Sequence, residues 1–384
     1  MAENSKILIV GAGPTGLTAA VELFRRGYHP RIIDEASQPA TQSKALAVNP
    51  RTLELLEPAG ITERLIAAGN RLHRLRAHHE GRRALEVDLS HIPHRFDFML
   101  ILPQAGTEKI LAGRLEELGG RIEWDTALKD VEIADGKARY LLASPAGEET
   151  GEADILLGAD GAHSRVRHAA GIGFAGESFP AGFGLADIGF PGGIDPHEAR
   201  ISLRDGSALA FLPFGENKAR LIGTCPHILK NAPQEAFLPD FRAEGTEILW
   251  ESDFKVSFRH VERFQRGPLF LAGDAAHIHS PVGGRGMNLG IEDAAWLAFL
   301  IAEGQSEAFT RHRLPVAQRV VGLTRDMTRQ ILLGGLPATL LRRFLAPALM
   351  SVPAIERNAL KSIAGLDTPS PPWLDAARDR PVPN

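Results

Sequence analysis

The stretch "SKILIVGAGPTGLTAAVELFRRGYHPRIIDE", residues 5–35, carries the reading of the fold. Residues 6–10 form a short apolar run. A glycine-rich turn follows, and Leu17, Ala20, Val21 and Phe24 then recur at helical spacing until Gly27 closes the helix. "PRIID" (30–34) reads as a second strand. Strand, glycine turn, helix and strand in that order open a doubly wound α/β sheet. Gly11 permits the tight turn, Gly13 lets the main chain approach a pyrophosphate, and Gly16 lets helix and strand pack closely, with Pro14 and Thr15 opening the helix among them. Asp34, about twenty residues on, offers a carboxylate to a ribose hydroxyl pair. A lone GxGxxG is weak evidence, but in this context it predicts a dinucleotide site.

At 384 residues the chain has room for two domains, or for one large domain with an insertion, and for a sizeable core. Its net charge of −4 argues against nucleic acid as a main partner, because proteins that track phosphates carry a basic excess. The basic stretch 70–83, "NRLHRLRAHHEGRR", fits a solvated strand pair. The single cysteine, Cys225, excludes an intramolecular disulfide and a cysteine-based metal site. With an N-terminus that enters a strand almost at once, it points to the cytoplasm. No uninterrupted apolar run is long enough to span a bilayer, so stable membrane insertion is not expected. The nearest, "ILLGGLPATLLRRFLAPALM" (331–350), is broken by two prolines, two glycines and an arginine pair. It reads as helices on the main body, with a homodimer contact or a weak membrane contact as lesser uses.

Helices are predicted at 50–58 and about 106–118, and "DVEIADGKARYLLAS" (130–144) reads as a hairpin turning at Asp135 and Gly136. Residues 1–172 are the first part of the nucleotide domain, with 70–100 lending strands to the inserted domain at 173–264. Short alternating segments there predict a mostly antiparallel sheet. The nucleotide domain resumes at 265–330, and 331–384 comprise C-terminal helices and a loosely held Pro-rich tail.

A second constellation lies at 271–290, "LAGDAAHIHSPVGGRGMNLG", where a buried strand ends in an acid and then a proline and glycines precede an apolar helix. Such a loop suits a main chain that lies against a flat, charged ligand. Together "GAGPTG", "GADGAHSRVR" (158–167) and "LAGDAAHIHSPVGGRGMNLGIEDA" (271–294) resemble the three signatures of the single-component, class A flavoprotein monooxygenases of the para-hydroxybenzoate hydroxylase fold. The similarity runs from residue 5 to about 330. "SKALAVNPRTLELLEPAGI" (43–61) is similar to the phenol and polyketide aromatic hydroxylase branch, and "IAGLDTPSP" (363–371) resembles the end of that branch's core. The thioredoxin-like extension of many members has no counterpart in the sequence.

The resemblance implies FAD as cofactor and NADH or NADPH as co-substrate. It places Asp274 on the ribityl side of FAD after Gly273, and Pro281 where the substrate meets the flavin. Gly283, Gly284 and Gly286 would lie against the isoalloxazine, and Met287 and Asn288 would open a helix whose N–H groups face the charge of the reduced flavin. Pro281 and Asn288 are thus the catalytic candidates, and a cation at Arg285 would add to the same stabilisation. Lys44 matches a basic residue on the pyrophosphate and Gln104 a glutamine that hydrogen-bonds the cofactor. Asp160, supported by Arg165 and Arg167, matches an acid shared between FAD and the nicotinamide nucleotide. Glu35, beside Asp34 at the cofactor, would repel a 2′-phosphate and leans the preference to NADH. The histidines 163, 168, 277 and 279 show no ligand spacing, so no metal site is expected.

By resemblance, the reaction is hydroxylation of an aromatic, phenolic or polyketide-like small molecule by O₂ through a flavin C4a-hydroperoxide. Phe211, Pro213 and Arg220, on the inserted sheet, are candidates to line the substrate. An epoxidase, a Baeyer–Villiger-type oxygenase or a reductase of the same fold, and a non-catalytic flavin-binding protein, are the alternatives. A halogenase is disfavoured because no W-x-W-x-I-P element is present.

Overall fold

The computed structural model describes residues 5–42, 45–189, 195–204, 206–224, 228 and 247–374. A six-stranded sheet runs in the order Gln265–Arg266, Leu269–Leu271, Ile155–Gly158, Ile7–Val10, Arg31–Ile33, Ile122–Glu123. It is parallel apart from its first strand. Ile7–Val10, Ile155–Gly158 and Leu269–Leu271 are buried along their whole length, as a parallel sheet covered on both faces requires. The helix Pro14–Phe24 packs against Gly286–Ala302. That second helix is buried almost all round, which its apolar sequence permits.

An eight-stranded sheet has the order His277–Ile278, Glu247–Val261, Phe174–Gly189, Lys218–Gly223, Ser207–Phe214, Glu198–Arg204, Arg74–His79, Arg82–Asp88. Strand Glu198–Arg204 pairs parallel with Arg74–His79, so residues from the first hundred complete the sheet. Ala47–Val48, Met99–Ile101 and Asn70–Leu72 form a small separate sheet, and Met99–Ile101 feeds the helix Gln104–Glu117. The hairpin 130–144 turns at Asp135 (φ 52°) and Gly136 (φ 76°), both left-handed as a two-residue turn demands.

Helices Phe309–Ile331, Gly335–Leu340, Ala346–Met350 and Pro353–Ile363 follow, with a π-helical turn at Leu341–Leu345. Among the described residues no single helix is long and apolar enough to cross a membrane. One expectation changes here. The first part of the Pro-rich tail is not loose: Trp373 packs 5.2 Å from Trp296 and 4.5 Å from Phe299, and Leu374 is buried with Leu55.

Candidate functional site

Gly11 has φ 104°, and a side chain there would collide with the carbonyl of Ala159, so the turn is closed by the neighbouring strand's end. A side chain at Gly16 would collide with the carbonyl of Gly11. Gly13 differs, because nothing lies within 4 Å of where its Cβ would stand. It caps the helix Pro14–Phe24 without a side chain and Pro14 takes the first position, so the first-turn N–H groups have no side-chain partner. That is an open anion cradle. Thr15 contributes only its main chain to this face, since its hydroxyl fills the space between Gly273 and Gly290.

Asp34 accepts the N–H of Ala12 at 2.7 Å and that of Ala36 at 2.8 Å, which fixes its carboxylate at the strand end with lone pairs to spare for a sugar hydroxyl. Glu35 is exposed beside it. Gln104 opens its helix and donates to Glu108 at 2.7 Å. Burial pushes the Glu108 carboxyl up, and the bond from Gln104 opposes that shift. Lys44 lies outside the described residues.

Asp160 follows the strand Ile155–Gly158 and stands beside Gly11. One carboxylate oxygen accepts the N–H groups of Arg165 (2.8 Å) and Val166 (3.2 Å), while the other is buried with no partner. Burial raises its pKa, with the hydrogen bonds from Ser164 and the main chain pulling the other way. Arg167 does not support a nucleotide as expected. It is buried over the ring of Phe174 at 4.0 Å and donates to the carbonyls of Ala275 (3.0 Å) and Ala162 (2.9 Å). It therefore ties the "DG" segment to the "GD" segment.

Gly273 (φ 61°) turns the chain out of the strand Leu269–Leu271, and Asp274 is exposed there. Further on, Gly283 (φ 84°) and Gly284 (φ 62°) are both left-handed, and the Gly284 N–H donates to the Pro281 carbonyl at 2.9 Å. A Cβ at Gly284 would stand 3.1 Å from that of Ala47, so this loop lies against the small sheet. The helix Gly286–Ala302 begins at once with no side-chain cap, leaving the first-turn N–H groups around Met287 open.

At this junction one expectation is refined and one is corrected. The amide of Asn288 is buried and spent: its nitrogen donates to Ala47 (2.8 Å) and Gly284 (2.6 Å), and its oxygen accepts from Asn49 (3.0 Å). Its side chain is therefore a positioning group, while the role expected at Asn288 rests on its main-chain N–H in the first turn of the helix. Arg285 is also buried, and donates to the Ser362 carbonyl (2.5 Å) and to Asp367 (2.8 Å). Its charge is neutralised within the protein and turned toward the C-terminal helices.

Sequence reasoning missed the support beneath this loop. Asp293 accepts from Gly273 (3.2 Å), His277 (2.6 Å) and Arg313 (2.7 Å), and Arg313 also reaches Glu292 at 2.6 Å. All four side chains are buried. Burial pushes the Asp293 carboxyl up, but Arg313 and His277 outweigh it, and the net shift is downward. Next to this network His279 bonds the Ser280 carbonyl through Nδ1 (3.0 Å) and leaves Nε2 shut off from solvent without a partner. Burial, then the neighbouring His277, push it down to about 3, so it is a neutral imidazole.

The sheet register divides the three substrate candidates. Phe211 faces Leu221 and Pro213 faces Ala219, whereas Leu212 faces Arg220. Neighbouring residues in a strand point to opposite faces, so Phe211 and Pro213 share one face and Arg220 takes the other. The face toward the small sheet is that of Leu212 and Phe214, which pack with Leu46, Ala47, Met99 and Ile101. Phe211 and Pro213 therefore point away from the glycine loop. Arg220 is buried and held by a two-pronged pair with Asp187 at 2.7 and 2.8 Å, between Phe214 and Trp250.

Residues 4–324 match the FAD binding domain family. The chain belongs to that family. It is 33% identical over 372 residues to 6-methylpretetramide 4-monooxygenase of Streptomyces rimosus, covering 91% of this chain and 65% of the relative. It is 32% identical over 354 residues to pentachlorophenol 4-monooxygenase of Sphingobium chlorophenolicum, covering 86% and 65%. The chain thus spans just under two thirds of the length of these two relatives. In fold it is similar to the crystal structure of p-nitrophenol 4-monooxygenase PnpA from Pseudomonas putida DLL-E4, with a TM-score of 0.85 at 20% identity, covering 96% of this chain and 99% of that one.

The residues present fit FAD. The open cradle at Gly13 suits its pyrophosphate, the unpartnered oxygen of Asp160 suits a hydroxyl donor, and the loop at Gly283 and Gly284, backed by an uncapped long helix, suits a flat ring that gains negative charge.

Proposed function

We propose that the chain is an FAD-dependent monooxygenase that uses NADH or NADPH and O₂ to hydroxylate an aromatic, phenolic or polyketide-like small molecule. The observation that carries this reading is the meeting of the left-handed glycine loop with the apolar wall. Ala47 touches both Gly284 and the cluster of Leu212, Phe214, Met99 and Ile101. A planar cofactor against the loop would have its open side toward apolar side chains, which is where a flat aromatic substrate belongs. Bound FAD would supply hydride acceptance and oxygen activation.

The chain's own residues have four tasks. The cradle at Gly13, with Asp34, Gln104, Asp160 and Asp274, would hold the cofactor, and Lys44 completes that set by resemblance. The N–H groups at Gly286 and Met287 would stabilise negative charge at the ring. Asn288 holds the loop at the strand Ala47–Val48, with Pro281 at its turn. Leu212, Phe214 and their neighbours would exclude water and orient the substrate. In this division of labour the six-stranded sheet serves the cofactor and the eight-stranded sheet covers the substrate. The single cysteine and the need for a nicotinamide nucleotide suit the cytoplasm.

The test is oxidation of NADH and of NADPH by the FAD-loaded protein across phenols and aromatic polyketides, with peroxide and product mass followed together. A product heavier by one oxygen, with oxidation stimulated by the aromatic compound, is expected. Reduction that yields peroxide alone with every aromatic compound would overturn the hydroxylase reading.

A further inference from the structure

One cation stands where the glycine loop meets the helix Gly286–Ala302. Residues 280–284, "SPVGG", and the first turn of the helix, "GMNL", carry no charged side chain. Arg285 lies between them at the N-cap, and its stem rests against the loop, since a Cβ at Gly283 would stand 3.7 Å from its Cγ. Its guanidinium is drawn the other way. One nitrogen donates to the Ser362 carbonyl and, at 2.8 Å, to Asp367, with the two charged side chains only 4% and 9% exposed. Among the described residues neither has another ionic partner.

Asp367 reaches Arg285 across 82 residues because a fixed turn carries it there. The helix Pro353–Ile363 stops just before Gly365, which is left-handed at φ 76°, and a Cβ at Gly365 would stand 2.7 Å from the amide nitrogen of Asn49. The Leu366 N–H donates back to the Lys361 carbonyl at 2.7 Å, and the Arg51 N–H donates to that of Ala364 at 3.1 Å. Leu360 and Ala364 are buried with Leu46 and Ile101. A buried ion pair is a poor source of stability, because desolvating two charges offsets most of their attraction. What this pair does achieve is to cancel a full positive charge beside the loop.

We propose that Asp367 sets the reduction potential of the bound flavin by holding the charge of Arg285 in a neutral pair turned away from the ring. This rests on the placement of FAD against the glycine loop given above. A hydride brings two electrons and one proton to the ring, which then carries one negative charge. The open N–H groups of the helix's first turn stabilise that charge. An unpaired guanidinium at the same junction would add a whole charge in an interior that screens far less than water. Asp367 cancels that contribution and keeps the flavin harder to reduce than the loop with a free Arg285 would make it. It is thus a positioning residue that acts through Arg285. The C-terminal segment, beyond residue 324 where the family match ends, becomes part of the cofactor's electrostatics.

The experiment is a spectrophotometric redox titration of the FAD-loaded protein against a reference dye at pH 8, with FAD dissociation constants measured alongside. Asp367→Asn keeps the side-chain shape and an oxygen for Arg285 while removing the charge. It should favour the reduced flavin about tenfold, which is about 30 mV upward for two electrons. Arg285→Gln leaves the carboxylate alone and should move the potential down. The double variant, with neither charge, should return to within about twofold of the wild-type equilibrium. If Asp367→Asn loses its flavin, Arg285→Gln set against the double variant still reads the sign. Damage to the loop would move both single variants the same way. Single variants whose potentials are unchanged, or shift in one common direction, overturn the proposal, as does a double variant that keeps a shift. Gly13→Ala separates this role from the cofactor's placement. Where that variant loses FAD and the potentials above are unmoved, the placement stands and the role of Asp367 fails; where it binds FAD as tightly as the wild type, both fail.

Discussion

The side chain of Asn288 holds Ala47, donating to its carbonyl at 2.8 Å from the first turn of the helix Gly286–Ala302. The same amide donates to Gly284 and accepts from Asn49. One buried group thus joins the glycine loop to the strand Ala47–Val48 and to the start of the helix Pro50–Leu56. Asn288→Leu keeps the volume and leaves three main-chain groups unpaired. It should cost about 2–3 kcal/mol in denaturant unfolding, and raise the FAD dissociation constant by at least about tenfold. A folded Asn288→Leu protein that binds FAD as tightly as the wild type would show that the loop keeps its shape without the pin.

Two glycines two residues apart should behave in opposite ways. Gly11→Ala adds a methyl group into the Ala159 carbonyl at a left-handed φ, so it should damage folding itself. Gly13→Ala meets nothing within 4 Å and has φ −71°, which alanine adopts without strain. Its stability should change by less than about 0.5 kcal/mol, while the methyl group stands where a pyrophosphate would rest. Flavin binding should therefore fall at least about tenfold with an unchanged melting temperature. Calorimetry of the apoprotein and flavin titration separate the two effects, and tight FAD binding by Gly13→Ala would move the cofactor away from this turn.

The same positions show what was legible in the sequence. The nucleotide fold and the two glycine loops could be read because each depends on local geometry, such as φ at Gly11 or the missing side chain at Gly13. The roles of Asn288 and Arg285 could not be read. Their partners, Ala47 and Asp367, are far away in sequence, and nothing in the residue type shows whether a polar side chain turns toward a ligand or toward the protein. The face on which Phe211 and Pro213 stand could not be read for a similar reason. Alternation along a strand shows two faces but not which one looks at the cofactor, and the register with Lys218–Gly223 decides that. Arg313 carries no motif at all, and its part emerges only from its distances to Asp293 and Glu292.

Arg313 should matter more to stability than to chemistry. It neutralises two buried carboxylates beneath the Gly273 turn. Arg313→Met should cost about 3–5 kcal/mol, because removing one partner leaves buried charge uncompensated. Adding Glu292→Gln and Asp293→Asn to it should recover part of that loss. A melting temperature that does not respond to Arg313→Met would mean that water reaches the carboxylates and the network is not closed.

His279 sets a pH dependence whose sign follows from its burial. Its pKa lies near 3 in the folded protein against an ordinary value of 6.5, so between these two the unfolded chain takes up a proton that the folded chain refuses. The contribution to stability is full above pH 6.5 and is lost as the pH falls toward 3, at up to about 1.4 kcal/mol per pH unit. His279→Phe removes the group. Subtracting its unfolding free energy from that of the wild type, from neutral pH down to the onset of acid unfolding, should show this slope. A flat difference would place the ring in contact with water.

The two faces of the strand Ser207–Phe214 give the sharpest test of where the substrate lies. Leu212 and Phe214 pack toward Leu46 and Met99, on the side of the glycine loop, whereas Phe211 stands opposite Leu221 on the other face. Leu212→Ala opens the wall next to the substrate and should raise KM, or uncouple NAD(P)H oxidation from product. Flavin content should stay unchanged. Phe211→Ala removes comparable apolar area and should lower stability by about 1–3 kcal/mol with KM and coupling as in the wild type. Steady-state kinetics with peroxide detection, set beside denaturant unfolding, reads both variants. If Phe211→Ala alters KM while Leu212→Ala leaves it untouched, the substrate enters from the outer face, and the apolar wall at Ala47 belongs to the core.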